Sequence, residues 1–314
     1  MKLIESKAEL ILQQEGLEGV YKQIEFCGRT CYKSEDKIKE GSAKGFVDRM
    51  INSKHTAMLE QGTVYLKLPY NLFHRICHPG LCSKYLKNPY TKVNKMYELH
   101  RMGDVLPDRL IPYLAVTTNY RVIVENGWLD DLQYICEPTR YHEKRYTFKF
   151  TTDRGVSHEL VRHRVFSYAQ ESTRYCNYSK DKFGGEISYI IPSWFTEANM
   201  QQRESFMQII KATEDYYMAL LGQWDDRKPD ARFKTGFKGN PLTPQQARQI
   251  LPNALKTEIC MTGFASDWRF FFDLRYFGET GKPHPDMANL ASKARTAMIQ
   301  ALVWDDIMEY PSKF

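Results

Sequence analysis

No run of about 18 apolar residues occurs in the 314-residue sequence, so no membrane-spanning helix is expected. The opening stretch, MKLIESKAELILQQEG, interrupts its apolar pattern with charges, which argues against a secretory leader and for a cytoplasmic location. The seven cysteines are odd in number, and without a secretion signal they read as reduced thiols rather than a disulfide framework. Finger spacing is missing as well. His74, Cys77, His78 and Cys82 crowd soft ligands into one short run, but no second cysteine pair follows at finger distance, so no metal is expected. Neither an internal repeat nor a low-complexity linker divides the chain. Acid is in the minority, 38 Asp and Glu against 44 Lys and Arg, and the net charge of +6 suits an anionic ligand or a nucleic acid.

What is present is an ordinary globular balance, 42% hydrophobic and 26% charged, in a chain long enough for a substantial core. TVYLKL (63–68) and RYTFKFTT (145–152) alternate and predict strands; ISYIIP (187–192) predicts another, stopped by Pro192. Ser42 is expected to cap a helix reaching about Asn52. SHELVRHRVF predicts a short helix with Ser157 as its N-cap and Glu159 near the positive end of the dipole. SYAQESTRYCNYS, polar and irregular, predicts a functional loop. Three helices are expected after it. One covers 204–224, one runs from Thr243 and Pro244 through Met261, and one opens at Pro285. Strands come early and in the middle, helices late. That order predicts an α+β domain, a mostly antiparallel central sheet covered by helices.

The stretch RHRVFSYAQESTRY (162–175) concentrates positive charge beside hydroxyls and amides. Arginine suits phosphate because its planar fork binds in bidentate fashion. On a helix, Arg162 and Arg164 would point in different directions, so they would clamp two ligands or one extended ligand. Two flanking cations would push the His163 pKa down and favour a neutral imidazole. A solvated basic turn remains the competing reading of such a run.

Arg162-His163-Arg164, then seven residues, then Ser172 resembles the signature of the flavin-dependent thymidylate synthases. The likeness extends to HTAMLEQG (55–62), to ARQILP (247–252), to DLR (273–275) and to GRTCY near residue 30. Arg248 and Arg275 lie 275 − 248 = 27 residues apart, which fits the family pattern. Several ordered motifs together are far more specific than one. The resemblance implies transfer of a methylene group from 5,10-methylenetetrahydrofolate to dUMP, giving dTMP, with FAD reduced by NADPH, in a homotetramer with shared active sites. It implies that Glu159, Arg162, Gln170, Glu171, Ser172, Thr173, Arg174, Arg248 and Arg275 surround the nucleotide. It also implies that His55, Ala57, Glu60, Arg162, His163, Arg164, Gln170 and Phe270 border the flavin. Arg275 would be the catalytic group, its cation stabilising the uracil anion so that C5 becomes nucleophilic without an enzyme thiolate. The resemblance makes residues 1–314 one catalytic domain with an insertion at about 70–144. Ala57, Phe264, Ser266 and Phe270 depart from the residues common in the family.

A different class of reading is a single-stranded nucleic-acid-binding protein, with RKPDARFKTGFKG (227–239) as its basic aromatic surface. Cys176 beside Arg174, and Ser172, are the tempting nucleophiles, but the flavin route needs neither. Trp268 and Phe270 to Phe272 are expected in the core, one ring bordering the site.

Overall fold

The computed structural model describes residues 1–69, 84–100, 109–222 and 240–314. The run His74 to Cys82 and the segment 227–239 therefore lie outside the described residues. The strands are β1 (Lys2–Ile4), β2 (Lys7–Ile11), β3 (Thr63–Pro69), β4 (Lys92–His100), β5 (Arg109–Asn119), β6 (Arg145–Asp153), β7 (Ser167–Gln170), β8 (Ser188–Ile190) and β9 (Lys256–Phe264). The helices are α1 (Gly16–Tyr32), α2 (Ser42–Asn52), α3 (Tyr120–Glu125), α4 (Arg154–Leu160), α5 (Met200–Leu220), α6 (Pro244–Ala247), α7 (Ala265–Phe272), α8 (Pro285–Gln300) and α9 (Trp304–Met308). The arrangement is α+β, as expected.

The central sheet runs β2-β6-β9-β7 with every neighbour antiparallel. It is a wall between two apolar cores. Tyr146, Phe148 and Phe150 on β6 and Ile259 and Met261 on β9 pack with Trp268, Phe271 and Phe272 of α7 and with Leu290 and Met298 of α8. Cys260 and Ala169 face the other way, towards Val20, Ile24 and Cys27 of α1. Alternate side chains of a strand point to opposite faces, so β9, covered on both, is buried almost throughout. That double burial explains one wrong expectation. The helix forecast to run on to Met261 ends at Ala247, continues as a 3-10 turn over Arg248–Ile250, and gives way to β9. Pro244 and the Thr243/Gln246 capping box are real start signals, but they open one turn only.

A second sheet, β3-β5-β4, is formed by part of the middle region; Thr63 pairs with Asn119 at one end of β3 and Pro69 with Tyr113 at the other. Its Val64, Leu66, Leu68, Leu114 and Val116 share the core of α1 and α2. Gly28 lets α1 and α2 cross closely, since a Cβ there would lie 2.4 Å from the Phe46 ring. Parallel β1 and β8 form a third, two-stranded sheet.

Three further expectations are corrected. Ser42 is the first residue of α2, not its cap, and its hydroxyl donates to the Lys39 carbonyl and to Glu25. Asp153, not Ser157, caps α4 by accepting the Val156 N–H, because the helix starts four residues earlier than a cap at Ser157 would place it. The first part of the forecast loop is β7, paired with β9 from Ser167↔Thr262 to Gln170↔Ile259.

Candidate active site

Arg162, His163 and Arg164 do not continue α4. They leave it in a turn closed by hydrogen bonds from Arg162 N to Glu159 O, His163 N to Leu160 O and Phe166 N to His163 O. The three side chains diverge as a result. Arg162 and Arg164 are exposed and have no partner among the described residues. His163 turns inward, its ring 5.2 Å from Phe271 and 6.4 Å from Phe270.

Arg275 meets His163 from below. It sits in a π-helical turn, Asp273–Phe277, that follows α7; wide turns of this kind often mark functional positions. Buried Asp273 anchors the turn through Arg269 and Ser312. Arg275 Nε donates to His163 Nε2 at 3.1 Å, and Nη1 donates to Glu159 Oε2 at 2.8 Å. An imidazole nitrogen that accepts from a guanidinium is unprotonated. Burial first, and Arg275 second, push the His163 pKa down to about 4. The direction agrees with the expectation, but the cause differs, since Arg162 and Arg164 point elsewhere. Among the described residues nothing bonds to Nη2 of Arg275, which has two N–H donors.

β7 separates this cluster from a second one. Four extended residues span about 10 Å, so the two ends of the arginine-rich stretch face different surroundings. Gln170 ends β7, and its Nε2 donates to Ser157 Oγ at 2.9 Å and Thr257 Oγ1 at 3.2 Å. Glu171 is turned inward, 2% exposed. Its Oε2 accepts from Lys256 Nζ at 2.8 Å and from the Glu258 N–H at 3.2 Å, and Oε1 accepts from Tyr178 at 3.1 Å. Both oxygens of that carboxylate are thus engaged within the chain. Ser172 N donates to Cys31 O at 3.0 Å, and Ser172 Oγ accepts from Arg174 N at 3.3 Å. Thr173 Oγ1 accepts from Arg248 Nη1 at 3.4 Å. Arg174 Nε donates to Gln245 at 2.5 Å, and its guanidinium lies over the Tyr175 ring. Ser172, Thr173, Arg174 and Arg248 thus stand together, with both arginines exposed.

His55 joins this second cluster. Tyr32 reaches His55 Nδ1 at 2.8 Å, and its ring is 5.8 Å from Tyr175. Ala57 and Glu60 follow in a 3-10 segment, Thr56–Gln61. Glu60 accepts from Arg121 at 2.6 Å, while its backbone carbonyl accepts from Arg145. Sequence reasoning missed Arg121, Lys256 and Gln245; nothing in their neighbourhoods marks them out. Phe270 is stacked on Phe314, with 5.6 Å between centroids and 17° between planes. Among the described residues no cluster has the makings of a metal site, and no helix is long and apolar enough to cross a membrane.

A family model described as thymidylate synthase complementing protein matches residues 141–301. The chain belongs to that family. The match takes in every element that carries Glu159, His163, Ser172, Arg248 and Arg275, and leaves His55 to Glu60 outside it. Flavin-dependent thymidylate synthases are among the relatives: that of Geobacter sulfurreducens is 31% identical over 150 residues, covering 48% of this chain and 55% of the relative. The enzyme of Corynebacterium efficiens is 33% identical over 125 residues, 39% of this chain and 45% of the other. The chain spans about half the length of the curated relatives it matches. Among solved structures, a UMP/dUMP methylase from Streptomyces cacaoi bound with 5-Br dUMP aligns over 99% of this chain and 98% of its own, at 13% identity and a TM-score of 0.44.

Proposed function

We propose that this family member makes thymidylate: it accepts a methylene group from 5,10-methylenetetrahydrofolate onto C5 of dUMP and reduces it to the methyl of dTMP. FAD, reduced by NADPH, supplies the electrons when bound. Because those electrons come from NADPH, the folate leaves at its own oxidation level, as tetrahydrofolate. The assembly is proposed as a cytoplasmic homotetramer with shared sites, and residues 1–314 as one catalytic domain with an insertion at about 70–144. The length of β7, which keeps the two clusters apart, supports a site filled from more than one subunit.

The residues present fit a flavin dinucleotide. Its phosphates call for guanidinium forks, and Arg162 and Arg164 are exposed and uncommitted. Its ring calls for weakly polar neighbours, and neutral His163 and Phe270 lie together, 6.4 Å between ring centroids with the planes at 73°. His55, Ala57, Glu60 and Gln170 complete the proposed flavin set. Ser172, Thr173, Arg174 and Arg248 bind the nucleotide, with the two exposed arginines at its phosphate. Glu159 and Arg162 stand at its base, and Arg275 carries the chemistry.

The observation that carries the reading is the fixing of Arg275 by Glu159 and His163. A guanidinium free to rotate would have to be ordered during the reaction. This one is oriented beforehand, with Nη2 left for an acceptor. A cation held beside the uracil ring stabilises the anion whose C5 attacks the methylene carbon. At neutral pH His163 is unprotonated, so it orients Arg275 and does not supply the proton. The test is direct: incubate the flavin-loaded protein with dUMP, methylenetetrahydrofolate and NADPH, and look for thymidylate and tetrahydrofolate. Flavin-loaded protein that yields no thymidylate overturns the proposal.

A further inference from the structure

Six charges meet behind the stretch that bears Ser172. Lys33 ends α1 in the left-handed conformation and pairs with Glu35 and Glu258, both at 2.9 Å. Lys149 of β6 reaches Glu258 at 2.8 Å. Lys256 of β9 bridges two carboxylates, Glu258 at 2.7 Å and Glu171 at 2.8 Å. Lys33, Lys149 and Lys256 contribute +3 and Glu35, Glu171 and Glu258 contribute −3, so the cluster closes at zero. Glu258 needs three cations because it is half-enclosed by strands; their attraction outweighs its burial and drives its pKa below the usual carboxylate range. Glu171 is the deepest member, its side chain 1% exposed. Two backbone bonds fix where it stands, Glu171 N to Glu258 O at 2.7 Å and Ser172 N to Cys31 O at 3.0 Å.

A buried carboxylate directly before an anion-binding stretch is a liability. Its field, little screened by water, opposes any phosphate that approaches Ser172 and Arg174. We propose that Lys256 serves that stretch by charge balance: bridging Glu258 on the rigid sheet to Glu171, it cancels the charge of Glu171 and so lets Ser172 to Arg174 receive an anionic ligand. The identity of the ligand as a nucleotide rests on the function proposed above; the geometry of the bridge does not.

The sign of the effect separates charge balance from bulk structure. Lys256→Met leaves Glu171 uncompensated and is expected to weaken phosphate binding about tenfold, the effect of one poorly screened charge several ångströms away. Glu171→Gln removes the offending charge, keeps an acceptor for Tyr178, and is expected to bind phosphate at least as tightly as the parent. The double variant is expected to return to within about twofold of the parent, and Lys256→Arg, which keeps the cation, to stay there if Lys256→Met fails to fold. Affinities are read by thermal-shift titration with inorganic phosphate and, separately, with dUMP. A Glu171→Gln that weakens binding as much as Lys256→Met does, or a double variant that fails to recover, overturns the role of Lys256. A parent that binds phosphate but not dUMP overturns the nucleotide reading and leaves the ordering of variants to decide the lysine. A parent that binds neither overturns both.

Discussion

The two clusters on either side of β7 treat arginine in opposite ways. Around His163, Arg275 is held by a carboxylate and an imidazole. Around Ser172, Arg174 and Arg248 are exposed, and their partners among the described residues are uncharged: Gln245 and the Tyr175 ring for Arg174, Thr173 for Arg248. A paired, fixed cation is poor at capturing an anion from solution but good at stabilising charge that develops at one defined atom. An open cation is the reverse. Under the proposed function the division of labour follows: the open set captures the phosphate, and the fixed one acts on the ring.

The sharpest way to break that contrast is Arg275→Lys. The ammonium keeps the charge but cannot satisfy His163 and Glu159 while presenting a further planar donor pair. Turnover at saturating nucleotide is expected to fall about 10²- to 10³-fold, the scale of losing one preorganised donor, while dUMP affinity changes far less. Affinity lost with turnover intact would put Arg275 with the open set.

Arg162→Ala and Arg164→Ala test the same contrast on the flavin side. Each removes an uncommitted guanidinium, so each is expected to weaken flavin retention roughly tenfold, as loss of one charge-assisted hydrogen bond does. Flavin content after extensive dialysis is the readout; full occupancy in either variant would contradict the assignment.

A third prediction concerns acid. The His163 pKa stands at about 4 when folded and returns towards the ordinary histidine range of about 6.5 on unfolding. Between those values the unfolded chain binds the additional proton. Stability contributed by keeping the imidazole neutral is therefore present above about pH 6.5 and lost as pH falls towards 4, by at most about 3 kcal/mol. His163→Gln, which preserves an acceptor for Arg275, should lose less Tm between pH 7 and pH 4.5 than the parent. Equal losses would show that the imidazole titrates normally.

Much of this arrangement was legible in the sequence, and what was not has a physical reason. β3 and β6 announce themselves by alternation, as a strand with two unlike faces must. β9 does not: KTEICMTGF is covered on both sides, so its pattern has no period of two, and a strong cap signal upstream pulled the expectation towards helix. The site arginines stand out by type and order, yet their pairing does not. Arg275 finds Glu159 across 116 positions and Lys256 finds Glu171 across 85. That the Glu171 carboxylate is buried and paired with Lys256 is visible only in the folded chain.

The smallest effect is expected at the most reactive-looking residue. A cysteine beside an arginine-rich motif invites a nucleophilic reading, and that reading requires a thiolate near neutral pH. Cys176 is 1% exposed, and its thiol pKa is pushed up to about 12, by burial first and by neighbouring Glu171 next. Arg174 does not offset this; its guanidinium is turned to Gln245 and Tyr175. At pH 8 the thiolate fraction would be on the order of 10⁻⁴. Ser172 is no better placed as a nucleophile: its hydroxyl oxygen accepts from the Arg174 N–H, and no basic side chain bonds to it among the described residues. As a donor to the nucleotide it needs no base. Cys176→Ala should therefore keep turnover within a few-fold of the parent, at a modest cost in Tm from the lost packing. Ser172→Ala should also turn over, with dUMP bound about tenfold more weakly, the usual worth of a hydrogen bond to a charged group. If folded, flavin-loaded Cys176→Ala were inert and the parent yielded a covalent adduct with uracil, activation would be covalent, and the contrast between the fixed and open arginines would no longer describe how the ring is made reactive.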